Sequence, residues 1–201
     1  MSETTGRRER KKAATRQALA DAALELFLER GYDQVSVKDV AEAADVSTTT
    51  LFKHFSGKEA LVFDEDADQE TALVAAVRER PAGTSVPAAL RDHLLDLDTR
   101  ARDSDPRFPR FLRLTESTPA LREYAHRMWM RHQTALAHAI AADIGAPEDD
   151  VTCAALARFA LEAPSLARST ADPRQAVERV FELLERGWPT AARGGTGPAP
   201  G

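Results

Sequence analysis

Four consecutive hydroxyl residues, Ser47, Thr48, Thr49 and Thr50, stand directly before the run Leu51-Phe52-Lys53-His54-Phe55. Serine and threonine are mediocre helix formers but good hydrogen-bonding partners for phosphate oxygens and base edges, so a helix that begins this way is suited to touch nucleic acid. Leu51 and Phe55, four apart, can anchor its inner face, which leaves Phe52, Lys53 and His54 nearer the exposed side. Lys58 follows at what reads as the start of another helix, where backbone N–H groups and the dipole favour an anion such as phosphate. Upstream, residues 1–20 hold six basic groups, Arg16 among them, against two acidic ones, a balance of +4. Such a basic arm is expected to contact phosphates rather than read bases. The net charge of −5 hides this arm, because residues 61–80 alone contribute −4, mainly through Asp64, Glu65, Asp66, Asp68 and Glu70. Five carboxylates on consecutive turns point several ways, so that run reads as a solvated helix face and not as a metal site.

Other chemistries find little support. His126, His132 and His138 are spaced by six, which rotates them off a common helix face, and no HExxH, glycine-rich phosphate loop or nucleophile elbow accompanies them. Cys153 sits among alanines and reads as buried filler. No catalytic residue, metal or cofactor is therefore expected, and the protein is expected not to be an enzyme. A single cysteine cannot form an internal disulfide, the amino end lacks a secretory apolar stretch, and no apolar stretch approaches bilayer length. These features predict a soluble, cytoplasmic protein with no membrane partner.

The elements that must position these side chains are all helical. Alanine, leucine, glutamate and arginine recur, and no strand pattern or repeat is visible. From about Lys11 to Arg30, Leu19, Ala22, Ala23, Leu26 and Phe27 form one stripe, and Gly31 offers a stop. Ser36 with Asp39 resembles a capping box opening a short helix through Val40, Ala41 and Ala44, and Ser47 caps the next. Two short helices separated by Ala44-Asp45-Val46 fit a helix-turn-helix. Ser56 with Glu59 predicts a further helix running past Val77 to the break at Pro81-Ala82-Gly83. Later helices are predicted over 86–102 and 108–114, from Pro119 to Ile144, from about Pro147, and from Asp172-Pro173 to Gly187, with a kink or end at Pro164. The fold class is thus all-α: a three-helix, helix-turn-helix DNA-binding domain followed by a larger helical domain. The expected divisions are a flexible basic arm over 1–10, a DNA-binding domain over 11–60, a helical domain over 61–189 and a disordered tail over 190–201.

Over residues 12–63 the chain resembles the TetR family of bacterial transcriptional regulators. Glu29-Arg30-Gly31-Tyr32, Val40-Ala41, Val46-Ser47 and Leu51-Phe52-x-x-Phe55-x-x-Lys58-Glu59-Ala60-Leu61 carry the resemblance, in the family's usual order and spacing. It implies that Ser47 to His54 form the recognition helix, that Ser36 and Lys58 grip phosphates, and that a homodimer binds a pseudo-palindromic double-stranded DNA operator. Phe52 departs from the family's common tyrosine, and its ring is left to pack on sugar or a thymine methyl. Beyond residue 64 the resemblance is architectural, and it implies that residues 61–189 form an effector-binding and dimerisation domain. It implies an effector cavity, for which Leu90, Leu94, Leu97, Phe108, Phe111, Leu112, Met128 and Trp129 are the candidate lining. Arg107, Arg110, Arg113, Arg127 and Arg131 are candidates for an anionic head group. It also implies an isologous interface from the last two helices, with Leu156, Phe159, Ala163, Leu166, Val177, Val180, Phe181 and Leu184 as candidates. The function expected is a repressor released by a small apolar or acyl-CoA-like effector. A helical enzyme and a ligand-independent DNA-coating protein are the alternatives.

Overall fold

A computed structural model describes residues 2–187, and among them there are nine α-helices and no strand. The helix expected from Lys11 begins instead at Ser2. Helix α1 spans Ser2–Arg30, so Arg7, Arg8 and Arg10 ride on helical turns where a flexible arm was expected. Gly31 stops it, with φ 85 and its N–H bonded to the Phe27 carbonyl. That left-handed conformation is open to glycine at no steric cost. A 3-10 turn at Tyr32–Gln34 leads to α2 (Val37–Ala43) and then α3 (Thr48–His54).

The helix predicted from Ser56 is not formed as one piece. A 3-10 turn at Glu59–Leu61 is followed by a separate helix, α4 (Asp66–Arg78). The remaining helices are α5 (Val86–Ser104), α6 (Phe108–Ser117), α7 (Pro119–Ile144), α8 (Val151–Ala167) and α9 (Pro173–Arg186). Helix α8 starts later than Pro147 because Asp150 serves as its cap, accepting from the Cys153 N–H at 2.8 Å. It does not end at Pro164 but runs on to Ala167. The tail expected over 190–201 lies outside the described residues.

The chain divides into two compact units. One comprises residues up to Thr71 together with Arg100–Arg131, and the other comprises Ala72–Thr99 and the chain from His132 onward. The first unit therefore recruits α6 and the start of α7, which sequence reading had placed wholly with the effector part. Its core joins Leu19, Ala23 and Phe27 of α1 to Val40 and Ala41 of α2, Leu51 of α3, Phe55, Leu61 and Leu121. Phe63 stacks on Tyr124 at 5.4 Å between centroids and meets Phe111 edge-on at 6.2 Å. Four helices, α1, α2, α3 and α7, contribute faces to one small core, and this packing rather than intrinsic propensity stabilises the seven-residue helices α2 and α3.

The second unit has its own core, in which Leu73, Val77, Leu90, Leu94, Leu136 and Ile140 meet the α8–α9 pair. Helix α8 presents Cys153, Ala157, Ala160, Ala163 and Ala167 inward, small side chains that let α9 approach with Val177 and Phe181. Arg80 closes the end of α4 by donating to the Val77 carbonyl, and it pairs bidentately with Asp143 at 2.6 and 2.7 Å. No described helix is long and apolar enough to cross a membrane.

Candidate nucleic-acid interface

Helix α2 is built from its cap upward. The Ser36 Oγ accepts from the Asp39 N–H at 3.2 Å and donates to the Asp39 carboxylate at 2.7 Å, and the Ser36 N–H donates to the same carboxylate at 2.7 Å. These bonds hold the Asp39 carboxyl below its ordinary range. The turn to α3 is closed by the Val46 N–H bonding back to the Ala41 carbonyl at 2.9 Å. Closing it requires Asp45 to adopt φ 52, a left-handed conformation that aspartate tolerates better than most residues. Sequence reading assigned Asp45 no role, although its place between two helices was the available signal.

Helix α3 shows the polarity that its sequence predicts. Leu51 is fully buried and Phe55 is buried, whereas Phe52, one residue from Leu51, is 55% exposed and Lys53 is exposed. Ser47 and Thr49 are also exposed, with Thr48 and Thr50 partly so. Two hydroxyls are already engaged, because Ser47 Oγ accepts from the Thr50 N–H at 3.1 Å and lies 2.9 Å from Thr50 Oγ1. Thr48 and Thr49 are left as the hydroxyls with no capping duty, together with Phe52 and Lys53. His54 ends the helix partly buried, its Nδ1 without a hydrogen-bond partner among the described residues. Burial, and then the charges of Lys12 and Arg16, push its imidazole below the ordinary value of 6.5, which keeps it neutral.

Two candidates sit differently from expectation. Lys58 does not open an α-helix, since only the 3-10 turn follows it. Its ammonium donates to the Tyr32 carbonyl and lies 3.9 Å from the Tyr32 ring centroid and 5.5 Å from that of Phe27. Desolvation there lowers its pKa, and burial with the Glu59 carboxylate raises that of the Tyr32 phenol. Arg16, expected on DNA, is committed within the unit. It donates to the carbonyls of His54 and Asp64 and lies over the Phe55 ring.

The candidate effector lining is divided between the two units. Leu90 and Leu94 belong to the core of the second unit, and Leu97 to the same unit partly buried. Phe108, Phe111, Leu112, Met128 and Trp129 belong to the first, where Phe108 stacks on Phe111 at 6.1 Å. An open groove of about 340 Å³ in the second unit is lined by Val86, Ile140, Ile144, Thr152, Cys153 and Leu156, and one of about 730 Å³ in the first by Phe27, Leu28, Arg110, Arg113, Leu114 and Ser117. Neither includes any of the eight expected lining residues. Of the candidate arginines, Arg107 pairs with Asp105 and Asp21, Arg127 with Glu123 and Arg131 with Asp66, while Arg110 donates to the Leu28 carbonyl. The Asp66 pair also gives one residue of the acidic run a defined partner.

The candidate interface residues fall into two sets. Ala163, Val177 and Phe181 are buried in the chain's own α8–α9 packing, with Leu156, Val180 and Leu184 partly buried against it. Phe159 and Leu166 are 53% and 63% exposed. Helical stripes alone could not separate these sets, because α8 has apolar residues on both sides.

A capped helix, a tight turn and a second helix with hydroxyl, aromatic and basic groups facing outward define a helix-turn-helix DNA-binding protein. Residues 19–64 match the family model of the bacterial regulatory proteins of the tetR family, and residues 84–189 that of the MftR C-terminal domain. The chain is 34% identical over 151 residues to the HTH-type transcriptional regulator TcmR of Streptomyces glaucescens, covering 72% of this chain and 67% of that protein. It is 27% identical over 141 residues to the transcriptional regulator MftR of Mycobacterium tuberculosis, covering 70% and 71%. The structure of Thermus thermophilus FadR in complex with lauroyl-CoA superposes with a TM-score of 0.56 at 26% identity, over 92% of this chain and 99% of that one. The chain belongs to the TetR family of bacterial transcriptional regulators, DNA-binding proteins that are not enzymes.

Proposed function

We propose that the protein is a homodimeric, cytoplasmic repressor that binds a pseudo-palindromic operator and is released from it by a small apolar or acyl-CoA-like effector. The carrying observation is the two-sided character of α3, with Leu51 buried and Phe52 and Lys53 outside. Thr48, Thr49, Phe52 and Lys53 are the residues assigned to base edges and sugars, and the capping hydroxyls of Ser36, Ser47 and Thr50 to the flanking phosphates. Lys58 has three ammonium protons and spends one on Tyr32, so it retains donors for a phosphate. Phe159 and Leu166 are assigned to the contact with a second copy.

The effector class is supported by the lauroyl-CoA bound to the Thermus thermophilus FadR relative. In this mechanism the ligand favours a state in which α4 is displaced and the two recognition helices of the dimer are spread. Successive major grooves lie about 34 Å apart, so spreading by a few ångströms prevents both halves from docking together. The test has two stages. Selection of duplexes from a random pool by the purified protein should enrich a sequence with two-fold symmetry, and lauroyl-CoA or an apolar drug should then release that duplex. Enrichment of no sequence would defeat the regulator reading, and enrichment without release by either ligand class would defeat the effector assignment. Lys58→Ala should weaken binding equally on all sequences and flatten the salt dependence by about one unit of slope.

A further inference from the structure

Arg16 gathers three separate parts of the first unit onto one guanidinium. Its Nη1 donates to the His54 carbonyl at 2.7 Å, its Nη2 donates to the Asp64 carbonyl at 2.6 Å, and its Cζ lies 4.3 Å from the centroid of the Phe55 ring. His54 is the last residue of α3, and Phe55 leaves the helix in an extended conformation. The His54 carbonyl is therefore one of those that a helix end leaves without an intrahelical donor, and a cation there also complements the dipole. Asp64 lies two residues before α4 begins. A planar fork that donates to two carbonyls at once holds them at a separation set by the guanidinium itself.

A seven-residue helix has little rigidity of its own, so what grips its ends decides where its side chains point. The start of α3 is held by Ser47 and its inner face by Leu51 and Phe55, and its far end is held by Arg16. We propose that Arg16 is a positioning residue that locks the end of α3 to the segment leading into α4, so that any displacement of that segment is passed directly to the recognition helix. This role differs from a phosphate contact, which was the sequence-level expectation for a basic residue in this part of α1. Lysine cannot substitute in it, because a single ammonium has neither the fork nor the flat face that covers Phe55. The inference rests on the reading of α3 as the DNA-recognition helix, and its test separates the two.

Hydrogen exchange of the DNA-free, full-length protein compares the wild type with Arg16→Ala and Arg16→Lys. Amides at the end of α3 and in residues 62–66 should exchange faster together in both variants, by about fivefold or more, with α2 unchanged. Acceleration of only one segment, or wild-type exchange in Arg16→Lys, overturns the lock. On a duplex enriched by the wild type, both variants should lose at least about tenfold in affinity while binding to random duplex changes less than about threefold and the salt slope stays within about half a unit. Loss of about 0.9 unit of slope in Arg16→Ala, restored in Arg16→Lys, would make Arg16 a phosphate ligand instead. Should Arg16→Ala fail to fold, Arg16→Lys, which keeps the charge and stem, decides by the same measurements. Failure of the wild type to enrich any duplex counts against the DNA-recognition reading and leaves the exchange comparison to decide on Arg16.

Discussion

Leu51 and Phe52 are adjacent, apolar and similar in size, yet α3 points one into the core and the other outward, which makes them a sharp pair of probes. Leu51 is fully buried, so Leu51→Ala should cost about 3 kcal/mol of stability, within the usual range for emptying a core leucine site. For a chain of this length that corresponds to a fall in melting temperature of roughly 6–12 °C. Phe52 is 55% exposed. A phenylalanine offers roughly 200 Å² of burial, so about 110 Å² remains to be covered by DNA, worth about 3 kcal/mol if all of it is covered. With half covered, Phe52→Ala should lose about tenfold in operator affinity, near 1.4 kcal/mol, while its stability stays within roughly 0.5 kcal/mol of wild type. Circular-dichroism melts and fluorescence anisotropy on a selected duplex measure the two effects. A melt of Leu51→Ala that coincides with wild type, or a Phe52→Ala variant that melts early and binds normally, would show that α3 is turned the other way.

Three further outcomes are expected. Ser36→Ala should destabilise the protein by about 1 kcal/mol through loss of the α2 cap. Because Asp39 is held below its ordinary value of 3.8 by Ser36, the stabilisation is complete above that value and disappears as pH falls through the lowered one. The gap between urea melts of wild type and Ser36→Ala should therefore narrow in acid to the part held by the Asp39 N–H bond to Ser36 Oγ, and a gap constant with pH would contradict the assignment. The His54 imidazole, pushed down by burial and by Lys12 and Arg16, should titrate in an NMR experiment with a midpoint below 6.5, so its contribution to stability is present above that pH and lost on acidification. A midpoint above 6.5 refutes the buried, neutral ring. Phe159→Glu should yield a monomer at micromolar concentration by light scattering with helix content retained, since that side chain is not part of the chain's own core. A stable dimer would move the interface away from the outer face of α8.

Much of the architecture follows from local sequence. Periodicity marked the inner stripe of α1, the Ser36–Asp39 spacing marked the cap of α2, and Gly31 marked a stop, because each depends on backbone geometry within a few residues. The hydroxyl run and the 51/55 spacing likewise determined which side of α3 faces outward. Tertiary structure decided what depends on partners distant in the chain. Arg16 looks like one more cation of a basic arm until carbonyls 38 and 48 residues away claim its guanidinium. Lys58 reads as the opening of an α-helix until only a 3-10 turn follows it and its ammonium settles against the Tyr32 carbonyl and ring. The Ser56 capping signal was overridden, giving a 3-10 turn and a separate α4. Ala163, Val177 and Phe181 were assigned to a partner chain because an apolar stripe states only that it will be covered. The structure shows the chain covering them itself and leaving Phe159 and Leu166 outside. A sequence shows which side chains need burial or a donor, and only the assembled fold decides which neighbour satisfies each of them.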